Sequence, residues 1–183
     1  MIFTHAPGGR TGLSEIEIWG ESASAYIPAP PPPGDLAMNL KGEGSPKASA
    51  SFHDVYGGLP NLANDGRVNY RPTPVNRWTS YGSKSPTDWL EIDFGVAKEV
   101  GRVELYIYDD QGGVQPPSSY TVQHSLDGKW RDAERQVKTP ATPIGSAVNT
   151  VTFAHVTTSK VRIVFTHRGE SRSGLTEIEV WKE

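Results

Sequence analysis

The chain has 183 residues, a formal net charge of −3 and no cysteine. Without cysteine, the sequence excludes disulfide scaffolds, cysteine nucleophiles and cysteine zinc sites. It has no basic excess, which argues against nucleic acid or an anionic membrane surface as a partner, and no apolar run approaches the ~18 residues that a membrane-spanning helix needs. Its 19 glycines and 15 prolines favour short strands joined by loops over helices.

The two ends of the chain carry the same sequence pattern. Residues 2–19 (IFTHAPGGRTGLSEIEIW) align without gaps with residues 164–181 (VFTHRGESRSGLTEIEVW), and 10 of the 18 positions are identical. Two unrelated strands do not share so many residues, so the match indicates an internal repeat. Because only the terminal piece is repeated, we predict that residues 1–19 are the last strand of a preceding homologous module.

A proline-rich segment follows this first copy. Residues 27–34 have the sequence IPAPPPPG, and proline favours a stiff, extended polyproline II conformation. We therefore predict a linker over residues 20–34 and a complete module over residues 35–183; the alternative is an ordinary proline-rich loop within one domain. The linker would let residues 1–19 reach the matching position in their own chain or in a second molecule, so a strand-exchanged dimer is a further expectation.

Hydrophobic and polar residues alternate with period two in the second part of the chain, which is the pattern of half-buried β-strands. The segments with this alternation are residues 89–94, 102–108, 120–125, 148–153 and 160–166. Between two strands, Asp127 and Gly128 are typical of a hairpin turn. The pattern predicts an all-β fold in which two sheets pack as a sandwich.

Five segments, taken in order, have a recognisable sequence. They are residues 61–66 (NLANDG), 77–80 (RWTS), 89–95 (WLEIDFG), 119–130 (SYTVQHSLDGKW) and 174–181 (GLTEIEVW). This ordered set resembles the coagulation-factor type C, or discoidin-like, domain, and especially the family 32 carbohydrate-binding modules of bacterial glycoside hydrolases. The resemblance covers residues 35–183 and implies an eight-stranded jelly-roll β-sandwich, a galactose-binding-domain-like fold, with its ligand site in loops at one end.

The same resemblance implies a structural calcium ion (Ca2+). Asp65 lies in a tight Asp-Gly turn, where a carboxylate can bind a hard cation that takes oxygen ligands. Similar modules add a glutamate near the end of the last strand, which here is Glu177. Ala63 would contribute its carbonyl oxygen, and Asn76 or Asn69 would complete the coordination shell. The alternative is a plain turn and a solvated glutamate without a metal.

Sugar recognition needs an aromatic surface for the C–H face of the ring and polar groups for the hydroxyls. Residues 52–58 (FHDVYGG) offer both, in a loop where similar modules place ligand contacts. The candidate contacts in this and other loops are His53, Asp54, Tyr56, Tyr70, Arg71, Tyr81, Arg168 and Arg172. Each of them taken alone also suits a solvated loop position. The glycine-rich segment 108–113 is either a further rim contact or a turn.

Two other sets of residues invite a functional interpretation that we do not favour. We expect core packing, rather than sugar stacking, for the tryptophans next to recognisable strand or turn elements: Trp78, Trp89, Trp130 and Trp181. Glu177 and Glu179 share one strand face, which superficially suits glycosidase acid–base chemistry, but they lie in one strand rather than across a cleft. The sequence contains no metalloprotease, Walker or nucleophile-elbow motif.

These observations predict a non-catalytic carbohydrate-binding module of a secreted or extracellular, bacterial glycoside hydrolase. Its role would be to hold the parent catalytic domain near a polysaccharide, and the resemblance points to galactose- or arabinose-type sugars. We expect neither nucleic acid nor a membrane as a partner. Two alternatives stay open: a structural or protein-interaction spacer without a sugar site, and a lipid-binding type C domain. The latter needs protruding apolar loop tips, whereas these loops are rich in glycine, serine and aspartate.

Overall fold

The computed structural model describes residues 32–183 together with Gly8. In this part of the chain there are eight strands and one short 3-10 helix, Pro60–Ala63. The strands are β1 (Lys47–Ala50), β2 (Trp78–Thr79), β3 (Thr87–Ile107), β4 (Ser119–Leu126), β5 (Lys129–Asp132), β6 (Val137–Thr139), β7 (Ala147–Thr166) and β8 (Gly174–Trp181). Apart from Gly8, the predicted upstream strand over residues 1–19 and the linker up to residue 31 lie outside the described residues.

Two long strands, β3 and β7, connect the two layers of the fold. They pair antiparallel along nearly their whole length, with register shifts between Asp93 and Lys98 and again between Val100 and Arg102. The first half of β3 and the second half of β7 form one layer with β1, β4 and β5, whereas the other halves form a second layer with β2, β8 and β6. The predicted all-β jelly-roll sandwich is confirmed.

The core lies between the two layers and follows the period-two alternation. From the first layer, Leu90 and Ile92 of β3 are fully buried, and from the second layer Leu105 of β3 is fully buried too. Burial of each such side chain contributes roughly 1.5–3 kcal/mol relative to exposure. Trp78 completes the core, with its ring centroid 5.6 Å from that of Phe165. All five segments predicted from the alternation lie in strands β3, β4 and β7, except that Tyr108 directly follows the end of β3.

Local turn chemistry and one edge contact complete the sandwich. Asp127 and Gly128 both have positive φ, at 51° and 73°, as a two-residue hairpin turn between β4 and β5 requires, so that prediction is confirmed. At the other side of the fold, the Leu36 amide donates to the Val180 carbonyl at 2.8 Å. The Val180 amide donates to Asp35 Oδ1, also at 2.8 Å, so residues 35–36 cover the edge of β8.

A buried polar cluster ties together the loops at one end of the sandwich. His167 Nε2 lies 2.9 Å from Asp88 Oδ2, and His167 Nδ1 lies 3.0 Å from Ser173 Oγ. The Ser51 hydroxyl donates to the other Asp88 oxygen at 2.7 Å. A serine, a histidine and an aspartate in this order also occur in hydrolases, but Ser173 is only 1% exposed, so a substrate has no access to it. The cluster therefore links the ends of β1, β3 and β7 to which these loops are attached.

Within residues 32–183 and at Gly8, no helix is long and apolar enough to cross a membrane.

Candidate functional site

A cleft opens at this end of the sandwich, where the loops after β1, β2 and β3 meet. Its volume is about 220 Å³, below the ~300–1,000 Å³ of sites for drug-sized ligands, so it suits a ligand of about one sugar ring. The residues that line it are Asp54, Tyr56, Arg77, Thr79, Tyr81, Tyr108, Asp110 and Val114.

Two tyrosines form the aromatic wall of the cleft. Tyr56 is 74% exposed and Tyr81 is 45% exposed, and their ring centroids lie 6.1 Å apart at an interplanar angle of 53°. Each ring offers an apolar face and a hydroxyl, which are the two kinds of contact that a pyranose ring requires. Because so much of both rings is solvent-accessible, they are available for a ligand rather than used for core packing.

Asp54 lies below Tyr56 and shapes the loop that carries it. Asp54 Oδ1 accepts hydrogen bonds from the amides of Tyr56 at 2.7 Å and Gly58 at 3.0 Å, and Oδ2 accepts from the Thr79 hydroxyl. A side chain at Gly58 would collide with this carboxylate. Asp54 was predicted to contact sugar; the structure shows it 6% exposed, with its oxygens used to hold the loop.

The opposite wall is polar and combines a cation, an aromatic ring and a carboxylate. The Arg77 guanidinium lies 4.3 Å from the centroid of the Tyr108 ring. Asp110 Oδ1 accepts from the amides of Gly112 at 2.8 Å and Val114 at 2.9 Å, so the loop holds this exposed carboxylate in place. Guanidinium donors and carboxylate acceptors together match a sugar hydroxyl, which is both donor and acceptor.

The structure brings some of the predicted sugar contacts together and separates others. Tyr56, Tyr81 and Asp54 line the cleft. His53 is exposed beside it, and its Nδ1 lies 3.0 Å from the Asp54 carbonyl oxygen. Sequence reasoning did not single out Arg77, because this residue directly precedes the buried strand β2 and lies in a segment that we assigned to the fold.

The remaining predicted contacts do not line the cleft. Burial and the Glu179 carboxylate raise the pKa of Tyr106 on the outer face of the second layer, and Tyr70 lies close enough to that phenol to add to the shift. Arg71 follows Tyr70 in the same loop. Arg172 holds loops together, since its Nε donates to the Ser83 carbonyl at 2.6 Å. Arg168 borders a neighbouring depression.

Three of the predicted metal ligands, Asp65, Asn76 and Glu177, meet beside β8. The Asn76 side-chain amide donates to Asp65 Oδ1 at 3.3 Å, to the Leu62 carbonyl at 3.3 Å and to the Arg67 carbonyl at 3.1 Å. The Arg67 amide in turn donates to Glu177 Oε2 at 3.2 Å. Three oxygens therefore converge on one amide nitrogen, close to a buried carboxylate. Asn69, the alternative ligand, instead shapes the adjoining loop through hydrogen bonds with Arg71 and Pro74. Ala63 is buried in the 3-10 helix, and the carbonyl that accepts from Asn76 is that of its neighbour Leu62.

Glu177 is the least satisfied group of this cluster. It is 1% exposed, and its Oε1 has no hydrogen-bond partner among the described residues. Burial raises the pKa of Glu177 well above its usual range, and the nearby carboxylates of Asp65 and Asp35 raise it further. Burial also raises the pKa of Asp65 and brings that of Asp35 to about 6. A buried oxygen without a partner, surrounded by like charges, is costly without a compensating cation.

The donor set fits a hard cation. Within residues 32–183 and at Gly8, no three or more histidine, cysteine, aspartate or glutamate side chains form a metal-binding group, so a cation here needs carbonyl and amide oxygens as well. Two carboxylates and the carbonyls of Leu62 and Arg67 supply oxygen ligands only, which is the preference of calcium. Rotation of the Asn76 amide would add its oxygen to this set.

The four tryptophans for which we expected core packing occupy different environments. Core packing is correct for Trp78, which is fully buried. It is wrong for the other three, which are half-buried on the outer faces of the layers. There they pack against arginines: the Arg162 guanidinium lies 4.3 Å from the Trp130 ring centroid and 5.8 Å from that of Trp89, and Arg102 lies 5.0 Å from that of Trp181.

The sequence comparison identifies the family. Residues 47–179 match the F5/8 type C domain family, and because this match covers most of the chain, the protein belongs to that family. The chain is 35% identical to rat (Rattus norvegicus) lactadherin over 83 residues, which cover 45% of this chain and 18% of lactadherin. Mouse (Mus musculus) lactadherin is 31% identical over 106 residues, or 55% of this chain and 22% of lactadherin. The chain therefore spans about a fifth of the length of the curated relatives that it matches.

Solved structures agree with this assignment. A structure from the β-galactosidase BgaA of Streptococcus pneumoniae has a TM-score of 0.73 at 19% identity, and the match covers 82% of this chain and 99% of that one. Chitosan-binding module 1 of a chitosanase/glucanase from Paenibacillus sp. IK-5 has a TM-score of 0.59 at 27% identity, covering 80% and 98%. The family 32 carbohydrate-binding module of C. perfringens NanJ, solved with galactose, has a TM-score of 0.56 at 19% identity, covering 73% and 91%. The resemblance to discoidin-like domains and family 32 modules is confirmed.

Proposed function

We propose that this protein is a non-catalytic carbohydrate-binding module whose site is the cleft between Tyr56, Tyr81 and Asp110. The observation that carries the proposal is the pair of largely exposed tyrosine rings at the loop end, facing a fixed carboxylate and a guanidinium. The 27% identical Paenibacillus module, which binds chitosan, supports it.

The cleft would bind a sugar without catalysing a reaction. One face of the pyranose ring would contact the tyrosines, while Arg77 donates to and Asp110 accepts from its hydroxyls. A shallow site that orders few ligand atoms gains little over water, so we expect dissociation constants of roughly micromolar to millimolar. Galactose- and arabinose-type sugars are the first candidates, and chitosan fragments are added by the Paenibacillus relative.

The proposal extends to the biological context. A weak module is useful when it is linked to an enzyme, because binding raises the effective concentration of the polysaccharide near the catalytic domain. We therefore infer a parent glycoside hydrolase and a secreted or extracellular, bacterial protein. Modules of similar structure belong to a β-galactosidase and to a chitosanase/glucanase of bacteria, which supports this context.

We also propose that the cluster beside β8 holds a structural calcium ion. Asp65, Glu177 and the carbonyls of Leu62 and Arg67 would be its ligands, with Asn76 as a fifth. When bound, the ion would supply positive charge that compensates the buried carboxylates and would fasten residues 62–76 to β8. The unpartnered Glu177 Oε1 and the raised pKa of Glu177 support the proposal.

The test is retention on polysaccharide affinity gels together with titration calorimetry against galactose, arabinose and chitotriose. We expect Tyr81→Ala and Tyr56→Ala to weaken binding at least tenfold while melting temperature is kept, because both rings are exposed. Tyr70→Ala is the matched control, since this loop tyrosine does not line the cleft. Normal binding by both cleft variants would contradict the proposal, and retention of the wild type on no polysaccharide would favour a structural spacer.

One observation favours lipid binding as a second candidate function. The tip of the loop after β1 is more apolar than its sequence led us to expect: Val55 is 87% exposed beside Tyr56, and Phe52 and Leu59 of the same loop are 36% and 42% exposed. Contiguous exposed apolar residues mark interaction surfaces. Val55→Ser separates the two functions, because it would reduce co-sedimentation with phosphatidylserine vesicles and leave sugar binding unchanged. No co-sedimentation of the wild type would exclude the lipid function.

A further inference from the structure

A second depression lies directly beside the cleft. It has a volume of about 370 Å³ and is lined by Gly112, Gly113, Gln115, Arg168, Glu170 and Ser171. The loop after β3 borders both spaces, because Asp110 and Val114 line the cleft, whereas Gly112 and Gly113, between them in sequence, line the depression. The two spaces are therefore separated by a single loop.

The partition carries no side chain at Gly112 and Gly113. A side chain at Gly113 would collide with the ring of Tyr81, so the backbone of the partition packs directly against the aromatic wall of the cleft. At Gly112 and Gly113 themselves, a ligand that stacks on Tyr81 would meet backbone atoms only.

The partition is also rigidly held. Besides the hydrogen bonds from Gly112 and Val114 to Asp110, the Gln115 side-chain amide donates to the Gly112 carbonyl at 3.0 Å. The Arg172 amide donates to the Gly113 carbonyl at 2.9 Å. A site that is already formed before the ligand arrives loses less entropy on binding.

The far side of the depression carries two unengaged charges of opposite sign. Arg168 and Glu170 are both exposed, and in residues 32–183 neither side chain has a hydrogen-bond or ion-pair partner. The Arg172 guanidinium donates to the Glu170 carbonyl at 2.9 Å, which fixes the backbone between them. A guanidinium and a carboxylate two residues apart offer donors and acceptors to neighbouring hydroxyls of one sugar.

We propose that the depression is a second sugar subsite, so that the natural ligand is an oligosaccharide of at least two units that crosses the partition at Gly112 and Gly113. The first unit occupies the cleft and the second contacts Arg168 and Glu170. The inference rests on the proposed function of the cleft and adds to it the ligand class, an oligosaccharide rather than a monosaccharide.

The test compares short and longer probes by titration calorimetry. The probes are galactose against N-acetylgalactosaminyl-β-1,3-galactose, and glucosamine against chitotriose. For the wild-type chain we expect the longer probe of at least one pair to bind about tenfold more tightly than its monosaccharide. In Arg168→Ala/Glu170→Ala this gain should disappear while monosaccharide affinity stays unchanged. Glu134→Ala/Arg135→Ala is the charge-matched control, because this exposed pair lines neither space, and it should keep the gain.

The outcomes separate this inference from the proposed function. If monosaccharides bind and the longer probes bind no more tightly, or if the gain persists in Arg168→Ala/Glu170→Ala, the second subsite is wrong and the cleft proposal stands. If Tyr81→Ala binds all four probes as the wild type does, or the wild type binds none of them, the cleft proposal is wrong and the subsite is wrong with it.

Discussion

Replacement of Glu177 by glutamine should change the stability of the protein in opposite directions with and without calcium. In the absence of the ion, the wild-type protein buries a carboxylate oxygen without a partner, close to Asp65 and Asp35. Glutamine keeps the shape and an acceptor for the Arg67 amide but removes the charge. The variant should therefore be more stable than the wild type in excess chelator and less stable in excess calcium.

The size of both effects can be estimated. Removal of the buried charge relieves its desolvation cost and its repulsion from Asp65 and Asp35, so the melting temperature of Glu177→Gln should rise by a few degrees in chelator. Calcium at 100 times its dissociation constant stabilises the native state by ~2.7 kcal/mol. For a domain of this size that is a rise of roughly 5–10 °C, which the wild type should show and the variant should lose.

The assay is a thermal melt in EGTA and in millimolar calcium, with Glu179→Gln as the matched control. Glu179 lies two residues along the same strand, is 5% exposed and has a pKa raised to about 7, first by burial, but it is not in the proposed ligand set. The control should keep the calcium response. Equal destabilisation of Glu177→Gln in both buffers, or a wild-type melt that ignores calcium, would refute the reasoning.

Three further predictions concern other parts of the molecule. Burial raises the pKa of Asp35 to about 6 and that of Glu179 to about 7. Because the folded state then holds these protons more tightly than the unfolded state, calcium-free stability should decrease between about pH 4 and pH 7, and a melting temperature that rises over that range would contradict this. Asp54→Ala leaves the amides of Tyr56 and Gly58 without an acceptor. Denaturant unfolding should therefore show a free energy of unfolding lower by ~1–3 kcal/mol, and calorimetry should show weaker sugar binding. A variant as stable as the wild type would refute the role of the carboxylate. Because residues 12–19 repeat the sequence of β8, light scattering at high protein concentration should detect a strand-exchanged dimer. The dimer should disappear when residues 1–31 are deleted, and a wild-type protein that is monomeric at every concentration would exclude strand exchange.

The strands could be predicted because their information is local. Alternation in residues 89–94 places every second side chain on one face, and the structure buries Leu90, Ile92 and Phe94 there. The Asp127-Gly128 turn was equally readable, since positive φ at both positions favours these residue types. The alternation does not predict what fraction of an outward-facing side chain is buried by its neighbours on the sheet. Trp89 and Trp130 are therefore half-buried against Arg162, although we expected them in the core.

The cleft was only partly predictable, because it depends on loops that are distant in sequence. Tyr56 and Tyr81 were identifiable as loop aromatics, but their approach to 6.1 Å follows from the packing of two separate loops. Arg77 adjoins a two-residue strand, and its position over Tyr108 depends on how β2 and β3 are arranged in the second layer. Likewise, only the conformation of the 3-10 helix shows that Leu62 directs its carbonyl to Asn76.

The central claim is that a sugar binds at the loop end of the sandwich, and backbone amide chemical shifts measured during a titration with galactose or chitotriose test it most directly. The account predicts saturable shifts at Tyr56, Tyr81 and the segment 110–114, with little change on the outer sheet faces. Shifts centred on Trp89 and Trp130 instead, or none at millimolar sugar, would contradict it.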